Sequence, residues 1–204
     1  MIPGNELILK CPYCLVNKSV MSLISGSSGG AIKWSDGYTI MPMYPQNSEI
    51  QQCDKCGKFF WMNERNMCGY ASSMSLKPSL LDLSQWVSVL EQFRKERLLD
   101  GAVELSIRLH ILWEYNHGQQ NQYTKINFNE NSNHLLTLMD RDGERYLTMS
   151  AEIYRELGLY DKCLDLLHSI TLDCWGKEIE KAAAEGVSDV FILRNNCERY
   201  RIFI

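Results

Sequence analysis

Apolar positions change their period along this chain. From Leu80 onward they recur with a helical spacing. Trp86, Val89, Leu90 and Phe93 fall at i, i+3, i+4 and i+7, on one face of a helix. Asp82 and Gln85 ahead of them match a capping box. Asp100-Gly101 reads as a break, and Ala102, Leu105, Leu109 and Leu112 mark a second helix. A similar pair follows: Leu147, Ser150, Ala151 and Tyr154 share one face, Gly158-Leu159 makes a turn, and Cys163, Leu167 and Ile170 line the next helix. A further helix is predicted from Cys174 to near Gly186. Beyond it, Val190, Phe191 and Leu193 read as buried positions on either a helix capped by Ser188 or a strand.

The first half has only short apolar runs. One leads into Lys10. Two more, Ala31–Ser35 and Tyr38–Met41, flank Asp36-Gly37, a pair that predicts a two-residue hairpin turn with positive φ at both positions. Pro42 and Pro45 end the second of these strands, and Phe59, Phe60 and Trp61 form another. The pattern predicts an α+β chain: a small antiparallel β domain with an inserted hairpin over 1–75, then an all-α domain over 76–204.

The two helical pairs repeat. Trp86, Val89, Leu90, Phe93, Leu99, Ala102 and Leu109 match Leu147, Ser150, Ala151, Tyr154, Tyr160, Cys163 and Ile170 at a constant offset of 61. Between them, residues 116–133 hold six Asn and three Gln, which reads as a flexible polar insertion.

Eight cysteines in 204 residues are the chemical signal. Cys11-Pro-Tyr-Cys14 and Cys53-Asp-Lys-Cys56 are paired, while Cys68, Cys163, Cys174 and Cys197 are isolated. Two Cys-x-x-Cys turns supply four thiolates to one tetrahedral ion and close its shell, which makes a structural rather than a catalytic site. One Zn2+ on Cys11, Cys14, Cys53 and Cys56 is therefore expected. Gly57 suits the tight turn after the second pair, and Leu15 departs from that pattern in the first. The 38-residue spacer, residues 15–52, must carry structure of its own. A redox reading competes, because Cys-Pro-Tyr-Cys is also a glutaredoxin dithiol motif, but no βαβ context accompanies it.

Two resemblances follow from these motifs. Cys-Asp-Lys-Cys-Gly-Lys-Phe-Phe-Trp resembles rubredoxin-like zinc ribbons. With Trp34-Ser-Asp-Gly37, Pro42-Met43 and Pro45, the first 65 or so residues also resemble uncharacterised bacterial zinc-ribbon proteins. That likeness implies a bacterial cytosolic protein and no known reaction. The stretch Ala151–Leu167 resembles a tetratricopeptide repeat, with Ala151, Tyr154, Gly158, Tyr160 and Cys163 at that family's small, aromatic and glycine positions.

Charge and targeting narrow the function. The net charge is -4. Residues 1–75 carry six Lys/Arg against five Asp/Glu, and the remaining 129 carry 15 against 20, a thin supply of phosphate contacts. No signal peptide or membrane span is visible, so a cytoplasmic protein is expected. No nucleophile motif, phosphate loop or paired-carboxylate signature appears. Trp34, Tyr44 and Trp61 are candidates for an aromatic binding surface, and His110, His117, His134 and His168 share no ligand spacing. Taken together, these features predict a non-enzymatic adaptor with a structural zinc and a helical surface for another protein or peptide. A nucleic-acid-associated ribbon using Lys10, Lys18, Lys33, Lys55 and Lys58 is the first alternative. A thiol–disulfide oxidoreductase using Cys11 and Cys14 is the second.

Overall fold

The computed structural model describes residues 2–44, 47–73, 79–118, 127–141 and 143–193. Among these described residues, nine short strands precede six helices, an α+β layout. The strands are β1 (Ile2–Pro3), β2 (Leu7–Lys10), β3 (Asn17–Val20), β4 (Leu23–Ser25), β5 (Ile32–Lys33), β6 (Thr39–Ile40), β7 (Ile50–Gln52), β8 (Phe59–Trp61) and β9 (Met67–Tyr70). The helices are α1 (Leu83–Lys95), α2 (Gly101–His117), α3 (Phe128–Asp140), α4 (Leu147–Glu156), α5 (Tyr160–His168) and α6 (Cys174–Ala184). None is long and apolar enough to cross a membrane.

The chain divides into two compact units, and the division is not where the sequence pattern suggests. One unit joins residues 1–31 to 40–85, and the other joins 32–39 to 86–204. The hairpin expected to belong to the ribbon is part of the helical unit instead. Its anchors are residues about 80 to 160 positions downstream, a relation that local periodicity does not carry.

In the first unit, β2 lies between β3 and β9 in an antiparallel sheet, and β7 pairs antiparallel with β8. The alternation of β2 buries Leu7 and Leu9, which pack with Val20, Phe60, Cys11 and Cys53. Buried Gln51 donates to the Ser48 carbonyl and accepts from the Ser79 hydroxyl, so its desolvated amide is paired.

At the start of α1, the predicted capping box is present. The Asp82 carboxylate accepts from the Gln85 N–H at 2.9 Å and the Gln85 side chain accepts from the Asp82 N–H at 2.9 Å. Trp86, Val89, Leu90 and Phe93 are buried as their spacing requires. The helix stops earlier than expected. Arg97 takes φ 57 while Leu98 N–H bonds the Phe93 carbonyl, a Schellman ending with arginine at the glycine position. Gly101 is no breaker; Asp100 caps α2 through the Val103 N–H, and the glycine is the first helical residue. Helices α4 and α6 end in the same motif with the usual residue, at Gly158 (φ 72) and Gly186 (φ 69).

The polar insertion needs a correction. Residues 119–126 lie outside the described residues, but Asn127 caps α3, which carries Phe128 to Asn133 and buries Leu135 and Met139. Asparagine is a poor helix interior and a good cap, and the apolar face after it decided the outcome. The two helical pairs are thus separated by an extra helix. Residues 187–193 form neither a helix nor a regular strand, apart from a bridge between Ile192 and Trp34. Residues 194–204 and Cys197 lie outside the described residues. The helical core is built from side chains such as Leu112, Leu135, Met139, Ile153, Leu167 and Ile179.

Candidate metal centre

Each cysteine pair sits on the turn of one hairpin: Cys11–Cys14 between β2 and β3, Cys53–Cys56 between β7 and β8. The two turns have the same backbone. Leu15 N–H bonds the Cys11 carbonyl and Gly57 N–H bonds the Cys53 carbonyl, both at 2.9 Å. Cys11 N–H bonds the Val16 carbonyl and Cys53 N–H bonds the Lys58 carbonyl, again both at 2.9 Å. Leu15 (φ 61) and Gly57 (φ 70) share the left-handed conformation. The knuckle geometry therefore overrides the local preference of leucine, which resists that region.

This pairing of turns brings all four sulfurs within 4.8 Å of one another. Across the turns, Cys11 Sγ lies 3.7 Å from Cys56 Sγ, and Cys14 Sγ lies 3.5 Å from Cys53 Sγ. A tetrahedron with metal–sulfur bonds of about 2.3 Å has edges of about 3.8 Å, so these spacings fit one ion at the centre. Cys11 and Cys53 are buried, Cys14 is half-buried and Cys56 is exposed, which puts the cluster at the rim of the β unit.

The electrostatics fit the same chemistry. Burial raises the Cys53 thiol, but the N–H groups of Cys56 and Lys55 and the neighbouring thiols outweigh it and draw it down to about 6. At Cys56 the Lys58 N–H is the largest influence and favours the thiolate, yet burial and the three other sulfurs together push it up to about 12. Four anionic sulfurs cannot share this volume without a cation, and an ion at the centre removes that conflict. Cys68 is exposed on β9 and is not one of the four clustered cysteines.

The aromatic candidates divide between the units. Trp34 belongs to the helical unit, where its ring meets His117 edge-on at 4.6 Å. Tyr44 and Trp61 belong to the β unit, Tyr44 exposed and Trp61 half-buried. Of the lysines weighed for nucleic acid, Lys18 pairs with Asp54 at 3.0 Å, Lys58 lies over the Tyr13 ring, and Lys33 is in the helical unit.

Sequence reasoning missed a second constellation. The turn Trp34-Ser-Asp-Gly37 is held by side chains of the helical unit. Asp36 is fully buried, and its Oδ2 accepts from Asn116 Nδ2 at 2.9 Å and shares a 2.8 Å hydrogen bond with His117 Nε2. Its carbonyl accepts from the Trp113 indole, and the Ser35 carbonyl from the Trp175 indole, at 2.9 and 2.8 Å. Arg155, also fully buried, pairs with Glu152 through two nitrogens and donates to the carbonyls of Val187 and Asp189 and to the Ser35 hydroxyl. Asn116 also donates to Glu156, whose carboxyl is held well above the usual range by burial, then by Glu152 and Asp36. The turn itself differs from expectation. Gly37 alone has positive φ, with Gly37 N–H on the Trp34 carbonyl and Trp34 N–H on the Tyr38 carbonyl, a three-residue loop with a bulge.

No family model, curated protein or solved structure matches this chain.

Proposed function

We propose that the chain is a non-enzymatic interaction protein, with one structural zinc ion in its β unit and a helical unit that meets another protein or peptide. The four clustered sulfurs carry the reading. Four protein ligands complete a tetrahedral shell and leave no position for a substrate. Sulfur-only donors at this spacing suit zinc; iron is the other ion they accept. The β unit gains a centre for a core that its short strands supply thinly. The α4–α5 hairpin, with Ala151 and Cys163 buried and Gly158 at its turn, supports a tetratricopeptide-like partner surface.

Elemental analysis tests the metal: about one zinc per chain, lost in Cys53→Ser, and a colourless protein. An intense visible absorption from ferric thiolate would replace zinc with iron. The redox alternative is tested by mixed-disulfide reduction. No turnover is expected, because all four thiols are engaged in one cluster, and activity abolished by Cys11→Ser would reverse the assignment.

A further inference from the structure

The hairpin between the two cysteine pairs is attached to the helical unit in the manner of a bound ligand. We infer that the helical unit contains a recognition groove for a Ser-Asp-Gly turn, and that residues 32–39 are its internal, releasable occupant.

Every residue of the turn is read individually. The serine hydroxyl accepts from the Phe191 N–H at 3.1 Å and from Arg155, and its own N–H donates to the Phe191 carbonyl at 2.8 Å. The aspartate carboxylate meets Asn116 and His117, a donor pair selective for an anion at that position. The glycine has φ 79, and a Cβ added there would lie 2.6 Å from the Met149 methyl, so a side chain is excluded twice. Lys33 extends the contact by accepting from the Leu193 N–H at 2.9 Å, as a strand added to the 191–193 segment.

Three observations separate this arrangement from ordinary core packing. First, the apolar cluster of the helical unit is assembled from residues 105–193, with no member from 32–39 among the described residues. The hairpin attaches through directional polar bonds and through the rings of Trp34 and Tyr38 against His117 and Trp113, and the donors and carbonyl it covers are groups that water satisfies when it leaves. Second, the docked state is incompletely bonded: the Trp34 indole nitrogen and Glu156 Oε1 are enclosed without a hydrogen-bond partner. Third, the segment entering the hairpin is Ser25-Gly-Ser-Ser-Gly-Gly30, exposed throughout, the composition of a flexible tether. A tethered ligand acts at an effective concentration of order millimolar, so it blocks the groove against a free competitor of similar affinity.

This inference deepens the interaction reading by naming the groove and the chemistry of what enters it, and its test is independent of the metal. The probe is a fluorescent peptide of residues 31–40, titrated by anisotropy into the full-length chain and into full-length Asp36→Ala. Binding to the variant is expected to be at least about tenfold tighter than to the wild type, since the variant's own hairpin no longer competes. The same peptide carrying Asp36→Ala should bind neither. Equal binding to both chains, or none to a variant whose helical circular dichroism is retained, overturns the proposal. So does loss of the helical signal in Asp36→Ala, which would make the hairpin part of the core. Hydrogen exchange on the unaltered chain gives a second measurement. The amides of Ser35 and Leu193 should exchange by a local opening, faster than those of Leu112 and Ile153. Exchange of all four only with global unfolding contradicts release.

Discussion

The β unit and the helical unit solve the same problem with different chemistry. The β unit has strands of two to four residues, and its central cluster counts two cysteines among its six buried members. The helical unit buries whole faces of helices and seals its polar interior with a bidentate Arg155–Glu152 pair. Surface-to-volume scaling explains the contrast: a short β segment cannot bury enough apolar area to offset chain entropy and requires a metal or disulfide, whereas a six-helix unit does not. On the proposed reading, the stability of the first is set by metal chemistry and that of the second by packing and desolvation.

The largest expected effect tests that contrast directly. A strong chelator, or Cys53→Ser, should abolish the β unit's cooperative fold, since zinc sites of this type contribute on the order of 10 kcal/mol. Near-ultraviolet signals of Trp61, in the β unit, should collapse, while ellipticity at 222 nm keeps most of its amplitude. Equal loss of both signals would make the metal common to the whole chain.

The counterpart in the helical unit is Arg155. Arg155→Met leaves Glu152 buried without its cation and strips donors from Ser35, Val187 and Asp189. A cost of about 3–5 kcal/mol is expected in denaturant titrations followed at 222 nm. Zinc content should stay at about one per chain. A melt indistinguishable from wild type would remove the pair from any structural role.

Acid should act on the helical unit through His110. This imidazole stacks on Trp86 at 4.1 Å and meets Trp113 edge-on, and burial pushes it down from 6.5 to about 4. The unfolded chain binds the proton first, so stability is complete above about 6.5 and declines as pH falls toward 4. The decline amounts to about 3 kcal/mol over that window. His110→Phe should flatten this limb of a stability–pH curve. Glu156 works in the opposite direction: its raised carboxyl favours the folded state while protonated, and that contribution is lost as pH climbs above 4.5. Glu156→Gln should stabilise the neutral protein, and an unchanged slope would mean that the carboxyl is hydrated.

The smallest effects compare residues in equivalent left-handed positions. Leu15 stands where the other knuckle has Gly57, and Arg97 stands where α4 has Gly158. Leu15→Gly and Arg97→Gly should each stabilise by up to about 1 kcal/mol, strain relief exceeding the added freedom of the unfolded chain. Gly57→Leu should cost a similar amount, because open space beside it leaves backbone conformation as the main penalty. Thermal shifts of opposite sign for Leu15→Gly and Gly57→Leu would establish that the two knuckles are equivalent.

Much of this architecture is legible without coordinates, for a physical reason in each case. Cysteine spacing predicts a shared site because two Cys-x-x-Cys turns each present two sulfurs to one side, and the four do cluster. The buried face of α1 follows from a 3.6-residue period, and the Asp82–Gln85 box from the unsatisfied N–H groups of a helix start; α2 departs from its expected face, with Ala102 exposed and Ile107 and Ile111 buried beside Leu105, Leu109 and Leu112. These are local rules, and they hold where structure is decided within about ten residues. Tertiary structure alone decided the rest. It took the 32–39 hairpin out of the ribbon and assigned it to helices more than 70 residues away. It buried Asp36 and Arg155, which local hydropathy places in water, because Asp36 meets Asn116 and His117 of α2 and Arg155 reaches Ser35, Val187 and Asp189; Glu152 is buried with them as the partner of Arg155 on the same helix. It also forced Leu15 and Arg97 into the left-handed region, where the closing hydrogen bonds of a knuckle and a helix end outweigh the preference of the residue itself.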